Sequence, residues 1–161
     1  MPTVGRALAQ IEPLLGRDLR LDYTLSGGFF EDADLASGLR AATGRGRDLQ
    51  VADGLLNLAQ AIANRLKTPR GELAALGHPE YGSRHHELIG QPNVARTRNL
   101  IKLYVLQALK AEPRIEKVLS LKVRAEHDPP RETVLIEVDA RVIGEQTPIN
   151  LLVPFSFEVR L

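Results

Sequence analysis

The fold is decided by one stretch of the chain, which begins with GLLNLAQAIANRLKT at residues 54–68 and ends with EPRI at 112–115. The first segment repeats an apolar residue every three or four positions, which is the spacing of one face of a helix. Pro69 and Gly71 follow it, and both residue types end helices. The sequence therefore predicts an amphipathic helix, whose apolar stripe comprises Leu55, Leu58, Ala59, Ile62, Ala63 and Leu66.

A second, longer helical pattern follows a polar connection over residues 71–90. Pro92 lies near its start, where a missing backbone N–H is harmless. Pro113 cannot continue a helix, so the pattern ends there. The predicted buried face of this helix comprises Val94, Leu100, Ile101, Tyr104, Val105, Ala108 and Leu109.

Three strand patterns come next, because apolar and polar residues alternate over 119–125, 134–142 and 149–161. One apolar face per strand is typical of an antiparallel sheet that is covered on one side. The two helices are the obvious cover. The predicted class is therefore α+β, with two main helices packed on one face of a small antiparallel sheet formed by the C-terminal strands.

The N-terminal third has weaker patterns. Residues 3–15 carry apolar side chains at helical spacing, which predicts a short helix that either packs on its own domain or binds a partner. Glycine-rich breaks then favour long loops, with a brief strand at 21–25. We therefore predict an N-terminal helix and loose arm over 1–47 and a compact domain over 48–161.

Composition excludes several function classes. The 161-residue chain has no cysteine, a net charge of +1 and 4% aromatic residues. Disulfides and thiolate chemistry are excluded, and no membrane span or secretory signal is expected. We expect no nucleic-acid partner, because Arg40, Arg45 and Arg47 have no stacking aromatic beside them and are interpreted as a solvated face.

Three histidines invite a metal site, but their spacing argues against it. His78, His85 and His86 match no helical His-x-x-x-His arrangement, and adjacent histidines point apart on most backbones. Ser83 precedes His85 without the Gly-x-Ser-x-Gly elbow of a hydrolase. We therefore expect no metal, no cofactor and no catalytic residue.

One enzymatic alternative stays open at this point. Glu80 and Glu87 could form the carboxylate pair of a cell-wall (peptidoglycan) hydrolase. Such a pair needs a cleft with aromatic or hydrogen-bonding walls, and the sequence supplies no sign of one.

The order of helix, polar turn, helix, Glu-Pro-Arg triplet and strand resembles the baseplate wedge and sheath-initiator family of contractile injection machines. That family includes the phage W-like baseplate protein and the small type VI secretion baseplate subunit. The resemblance covers roughly residues 48–140, and residues 76–84 look most like members from extracellular, phage-tail-like injection systems. It is carried by Asn57-Leu58-Ala59-Gln60, Arg65-Leu66-Lys67-Thr68, Gly71-Glu72-Leu73, Tyr81-Gly82-Ser83, Leu88-Ile89-Gly90 and Glu112-Pro113-Arg114-Ile115.

The resemblance implies a structural protein, not an enzyme. It implies that Glu112, Pro113 and Arg114 contact the wedge core bundle. It also implies that the last strand accepts arms of the sheath subunit by strand addition, through Ile149, Leu151, Val153, Phe155, Phe157 and Val159.

The implied partners are the sheath subunit and baseplate wedge proteins, with tube or hub proteins as further candidates and no membrane. The protein would be present in several copies, six by the family's symmetry. It would be assembled in the cytoplasm and reside in the baseplate of a phage, a type VI secretion system or an extracellular particle. A free-standing interaction module outside any such machine is the other alternative.

Overall fold

The computed structural model describes residues 14–26, 29–39, 44–128, 131–144 and 148–157. The chain divides into two compact units, Met1–Ala61 and Ile62–Leu161. The division falls inside helix α1, Gly54–Lys67. The domain boundary at residue 48 stays a prediction.

The described part of the N-terminal unit contains six short strands that pair as three separate antiparallel ribbons. They are β1 (Arg17–Leu19), β2 (Leu21–Ser26), β3 (Phe29–Leu35), β4 (Ser37–Leu39), β5 (Arg47–Leu49) and β6 (Val51–Asp53). The ribbons are β1–β6, β2–β3 and β4–β5.

The three ribbons meet at a ring of three backbone hydrogen bonds, called here the backbone triangle. The N–H of Arg20 donates to the carbonyl of Gln50 at 2.9 Å, Gln50 donates to Ala36 at 2.9 Å, and Ala36 donates to Arg20 at 2.8 Å. Each of these residues links two strands of different ribbons. The triangle thus satisfies backbone groups that lie outside the ribbon ladders.

Two buried amides at the start of α1 hold this unit together. Gln60 donates from Nε2 to the carbonyl of Leu19 at 2.8 Å and accepts from the N–H of Leu21 at 2.8 Å. Asn57 donates from Nδ2 to the carbonyl of Leu15 at 2.9 Å. Both amides belong to the Asn57–Gln60 motif, and their burial is explained by these bonds.

The predicted loops over residues 16–47 are wrong for the described part of that range, which is mostly strand. The strand predicted at 21–25 is confirmed as part of β2. Gly16, Gly44 and Gly46 have positive φ angles, so these glycines shape turns between ordered elements. Most of the helix predicted at 3–15 lies outside the described residues, as does Arg40, although Leu14 and Leu15 are helical.

The C-terminal unit contains the end of α1, a second long helix and a three-stranded antiparallel sheet. Two 3₁₀ helices, Ala74–Leu76 and Arg84–Leu88, precede α2 (Ala95–Lys110). The strands are β7 (Ile115–Ala125), β8 (Thr133–Val142) and β9 (Ile149–Ser156), and β8 lies in the middle. The α+β class is confirmed, and the packing of both helices on one face of the sheet stays a prediction.

Alternation along β8 is confirmed, because Val134, Ile136, Val138, Ala140 and Val142 are all fully buried. Of the predicted helical stripes, Leu58, Ile62 and Leu66 of α1 and Ile101, Val105, Ala108 and Leu109 of α2 are buried, whereas Leu55 and Val94 are exposed. α2 begins three residues beyond Pro92, after Val94.

β7 departs from the predicted alternation at Leu119. β8 pairs Ala140 with Val118 and Asp139 with Ser120, so Leu119 is an extra residue between two paired positions. A bulge of this kind shifts the alternation by one residue. Leu119 is accordingly 41% exposed instead of buried, while Val123, beyond the bulge, faces the core.

Candidate functional site

The Glu-Pro-Arg triplet lies at the junction of α2 and β7, as predicted, but its glutamate points inward. Glu112 is only 4% exposed. Its Oε1 accepts a hydrogen bond from Arg114 Nε at 2.6 Å, and its Oε2 accepts one from Arg114 Nη2 at 3.1 Å. This two-point contact is the strong, oriented form of an arginine–carboxylate pair.

Two further residues, which the sequence did not place beside Glu112, complete this cluster. Arg65 of α1 approaches Glu112 Oε2 with Nη2 at 3.8 Å, and its guanidinium lies 4.6 Å from the centre of the Tyr81 ring. The buried Nε of Arg65 has no hydrogen-bond partner among the described residues. The cluster therefore holds two guanidinium groups against one carboxylate.

These cations set the charge state of Glu112. Burial by itself raises the pKa of this carboxyl, but hydrogen bonds from the Arg114 side chain and backbone and the charges of Arg114 and Arg65 outweigh it. The pKa is therefore held below its ordinary value, and the pair stays ionised at neutral pH. A partner at this junction can reach Pro113, which is exposed, and the outer side of Arg114, but hardly the carboxylate.

The segment Tyr81–Ser83 is held tightly against the end of α1. The N–H of Ser83 donates to the carbonyl of Thr68 at 2.9 Å, and the N–H of Arg70 donates to the carbonyl of Ser83 at 3.2 Å. Gly82 lies between them with φ +97°, and a Cβ on it would lie 2.5 Å from the Thr68 oxygen. Only glycine fits this position without displacement of the backbone.

Two of the three candidate histidines, His85 and His86, pack together, whereas His78 is exposed. The prediction that adjacent histidines point apart is wrong for this pair. His85 is 2% exposed, with Nδ1 2.7 Å from Ser83 Oγ, and its ring centre lies 4.3 Å from that of His86 and 4.6 Å from that of Phe155. His86 Nε2 donates to the carbonyl of Leu66 at 2.7 Å. Because Ser83 is also buried, a substrate has little access to this Ser–His pair. The described residues contain no group of three or more potential metal ligands.

Acid should destabilise the protein through this cluster. Burial, with the charge of His86, lowers the pKa of His85 from 6.5 to about 3. Below about pH 6.5 the unfolded chain therefore binds a proton that the folded chain refuses, so stability is lost as the pH falls from 6.5 towards 3. We expect about 2 kcal/mol of this loss by pH 5, measured by urea unfolding at each pH.

The variant His85→Phe should make the curve of stability against pH shallower between pH 7 and 5. His127→Gln, which replaces an exposed histidine, is the matched control and should leave the slope unchanged. An unchanged slope in His85→Phe would show that other groups cause the acid sensitivity.

The candidate acid–base pair is exposed and engaged by arginines. Glu80 pairs with Arg70. Glu87 accepts hydrogen bonds from Nε and Nη2 of Arg84, both at 2.9 Å, and the bond lowers its pKa. A general acid at neutral pH needs a raised pKa, so Glu87 is unsuited to that role.

β9 is an edge strand of the described sheet, and its hydrogen-bonding pattern can be read from one bond. The N–H of Phe157 donates to the carbonyl of Glu132 at 2.8 Å, and Pro154 lies opposite Leu135 in a regular register. Because bonded and non-bonded pairs alternate, the backbone groups of 150, 152, 154 and 156 point away from β8. The missing N–H of Pro154 therefore costs the β8 ladder nothing.

The side chains predicted to bind the sheath face mostly inward. Val153, Phe155 and Phe157 are buried, while Ile149 and Leu151 are partly exposed. Val159 lies outside the described residues. A strand added at this edge would therefore be held by backbone groups and by side chains such as Leu152, which is 55% exposed.

No helix within the described residues is long and apolar enough to span a membrane.

Comparison with known proteins identifies the family. Residues 52–147 match the family described as "Baseplate wedge protein gp25". A crystal structure from Geobacter sulfurreducens, of a protein named as a proposed tail lysozyme, is 29% identical with a TM-score of 0.56, over 65% of this chain and 92% of that one. No curated protein matches the chain significantly. The resemblance read from the motifs is thus confirmed, and because the matched range exceeds half of the sequence, the chain belongs to the gp25 baseplate wedge protein family.

Proposed function

We propose that the protein is a structural part of the baseplate of a contractile injection system, where it docks on the wedge core and templates the first sheath ring by strand addition. Membership of a structural baseplate family supports the general role. The observation that carries the finer proposal is the outward row of backbone groups on β9.

This row has the properties of an edge that accepts a strand. Among the described residues β9 pairs with β8 alone, and their register has no irregularity. Asn150, Leu152 and Ser156 present N–H groups outward, with carbonyls beside them. An unpaired row of this kind is a template for a strand from another chain.

The other edge of the sheet is less suited to strand addition. β7 has two register irregularities, after Ile115 and after Val118. Exposed Lys117, Lys122 and Arg124 follow its length. Bulges and charges are the usual protection of an edge strand against pairing, so β9 is the edge we assign to the sheath.

Leu152→Pro should stop sheath growth while sparing the fold. The substitution removes an N–H that points away from β8, so the hydrogen bonds between β8 and β9 are kept. An added strand, however, would find two successive outward positions, 152 and 154, without a donor. The expected particles have baseplates that contain the protein but carry no sheath, as seen by electron microscopy. Leu152→Ala, which keeps the N–H, should assemble normally, and full-length sheaths on Leu152→Pro baseplates would contradict the proposal.

Docking on the wedge core is assigned to the exposed side of the 112–114 turn. The buried contact with Glu112 orients Arg114, and an arginine held in one orientation loses little entropy when a partner binds it. Side-chain density for an assembled baseplate tests this directly. A baseplate in which this turn faces solvent would contradict the assignment.

The name of the Geobacter protein keeps a cell-wall hydrolase as the second candidate. Both carboxylates are held in ion pairs, which disfavours it. Purified protein assayed on peptidoglycan decides the matter, because a hydrolase of this type would lose its activity in Glu80→Gln or Glu87→Gln.

A further inference from the structure

A small pocket in the C-terminal unit lies beside the Tyr81–Ser83 segment and the last turns of α2. Its volume is about 120 Å³. Arg70 and Arg84 line it, with Tyr104 and Gln107 of α2, and Ala108 and Ala111 contribute small side chains to its lining. The family resemblance assigns it no role, and Glu80 of the acid–base hypothesis is part of its lining.

The arginines of the pocket are held in place before any ligand arrives. The guanidinium of Arg84 lies 4.7 Å from the centre of the Tyr104 ring, and its Nε and Nη2 donate to Glu87. Arg70 pairs with Glu80. A guanidinium has five N–H donors, so these contacts orient Arg84 without using all of them.

The lining favours an anion of limited size. Arg70 and Arg84 pair with Glu80 and Glu87, but each guanidinium has more N–H donors than its pair uses, so the pocket is lined by donors. Gln107 adds an amide that can donate. Arginine binds carboxylates with two parallel hydrogen bonds. Glu87 occupies the Nε–Nη2 side of Arg84, so the Nη1–Nη2 end is the side that can bind a second carboxylate, and the Tyr104 ring helps to hold the group in place. Arginine and tyrosine are also the residue types that dominate binding energy at protein interfaces.

We propose that this pocket receives an aspartate or glutamate side chain of a neighbouring baseplate protein. The proposal rests on the proposed baseplate function and names the chemistry of one contact. The chain carries a net charge of only +1, which disfavours an extended polyanion such as nucleic acid as the occupant. A single carboxylate suits both the N–H donors of the lining and the volume.

The isolated protein provides the first test, with N-acetyl-glutamate N-methylamide as the probe and the glutamine analogue as its control. NMR should show saturable shifts of the Arg70 and Arg84 Nε–H and the Gln107 amide with the glutamate probe only, at a dissociation constant on the order of 10 mM. Arg84→Gln should weaken binding at least about fivefold, whereas Arg124→Gln, which removes an exposed arginine of the sheet, should not. Equal shifts with both probes, or equal effects of both variants, overturn the proposal.

Particle assembly provides the second test. Ala111→Met should fill the pocket and reduce incorporation of the protein into baseplates at least about fivefold. Lys110→Met adds the same side chain at the neighbouring exposed position and should incorporate normally, and circular dichroism should show both variants folded. Normal incorporation of Ala111→Met overturns the pocket proposal alone, whereas absence of the unmodified protein from baseplates overturns the proposed function itself.

Discussion

Gly82→Ala should lower the free energy of unfolding by about 3–5 kcal/mol, the largest effect that we expect from any single methyl group in this chain. The residue has φ +97°, where an L side chain is strained. Its new Cβ would also lie 2.5 Å from the Thr68 oxygen and 2.8 Å from the Pro69 oxygen. Both neighbours are backbone atoms, so no side-chain rotation relieves the contact, and the bonds between Ser83, Thr68 and Arg70 must give way.

Gly77→Ala is the matched control, because Gly77 has φ +86° but open space within 4 Å of its Cβ position. It should cost about 1–2 kcal/mol, the penalty of the left-handed backbone alone. Chemical denaturation of both variants at pH 7 measures the difference. Equal losses of stability in the two variants would show that the Tyr81–Ser83 segment can move away from Thr68. The close approach of Gly82 to the Thr68 oxygen would then be unimportant for stability.

Glu112→Gln should cost about 2–4 kcal/mol, although the two side chains have nearly the same shape. The carboxylate is the group that Arg114 and Arg65 both contact, and Arg65 Nε already has no hydrogen-bond partner among the described residues. Neutralising it leaves two positive charges close together in a largely buried cluster. Their mutual repulsion and poor hydration then oppose folding.

Glu116→Gln replaces an exposed glutamate four residues further along and should change stability by less than about 0.5 kcal/mol. Thermal unfolding of both variants at low and high salt distinguishes the loss of a buried ion pair from the loss of an exposed charge. A Glu112→Gln protein as stable as the unmodified one would mean that the cluster is solvated, and Glu112 would then be as available to partners as the motif alone suggested.

The parts of the fold that repeat a period over many residues were predictable. Helices α1 and α2 and strand β8 carry long apolar patterns, and each pattern has one structural interpretation. The bulge at Leu119 was not predictable, because it depends on how β7 pairs with β8 and leaves no mark in composition.

Most strands of the N-terminal ribbons were missed, although β2 was predicted in part, and for the shortest strands the reason is physical. Four of the six strands have three residues each, too few to show a period of two. Their order comes from the backbone triangle and from the amides of Asn57 and Gln60. Because the bonded residues lie far apart in the sequence, no local pattern indicates that they pair. Glycines at the turns between strands also cannot be told from glycines in long loops.

The candidate site was predicted in position but not in geometry. Pro113 marks the junction of helix and strand, so the triplet could be located from the sequence alone. The inward direction of Glu112 depends on Arg65 and Tyr81, which belong to other motifs of the same family pattern. The presence of Arg65, which contacts Glu112, and of Tyr81, which contacts Arg65, in these separate motifs was the one available hint.

Because of the backbone triangle, we expect the three ribbons of the N-terminal unit to form together. The length of each ribbon can nevertheless change without affecting the other two. Each bond between Arg20, Ala36 and Gln50 closes a loop, at an entropic cost that rises only slowly with loop length. Once two of the bonds exist, the ends of the third already lie within reach, so the ring forms or opens as a whole. Residues inserted far from these three positions leave the ring intact. Evolution can therefore extend one ribbon towards a new neighbour in the particle without rebuilding the other two.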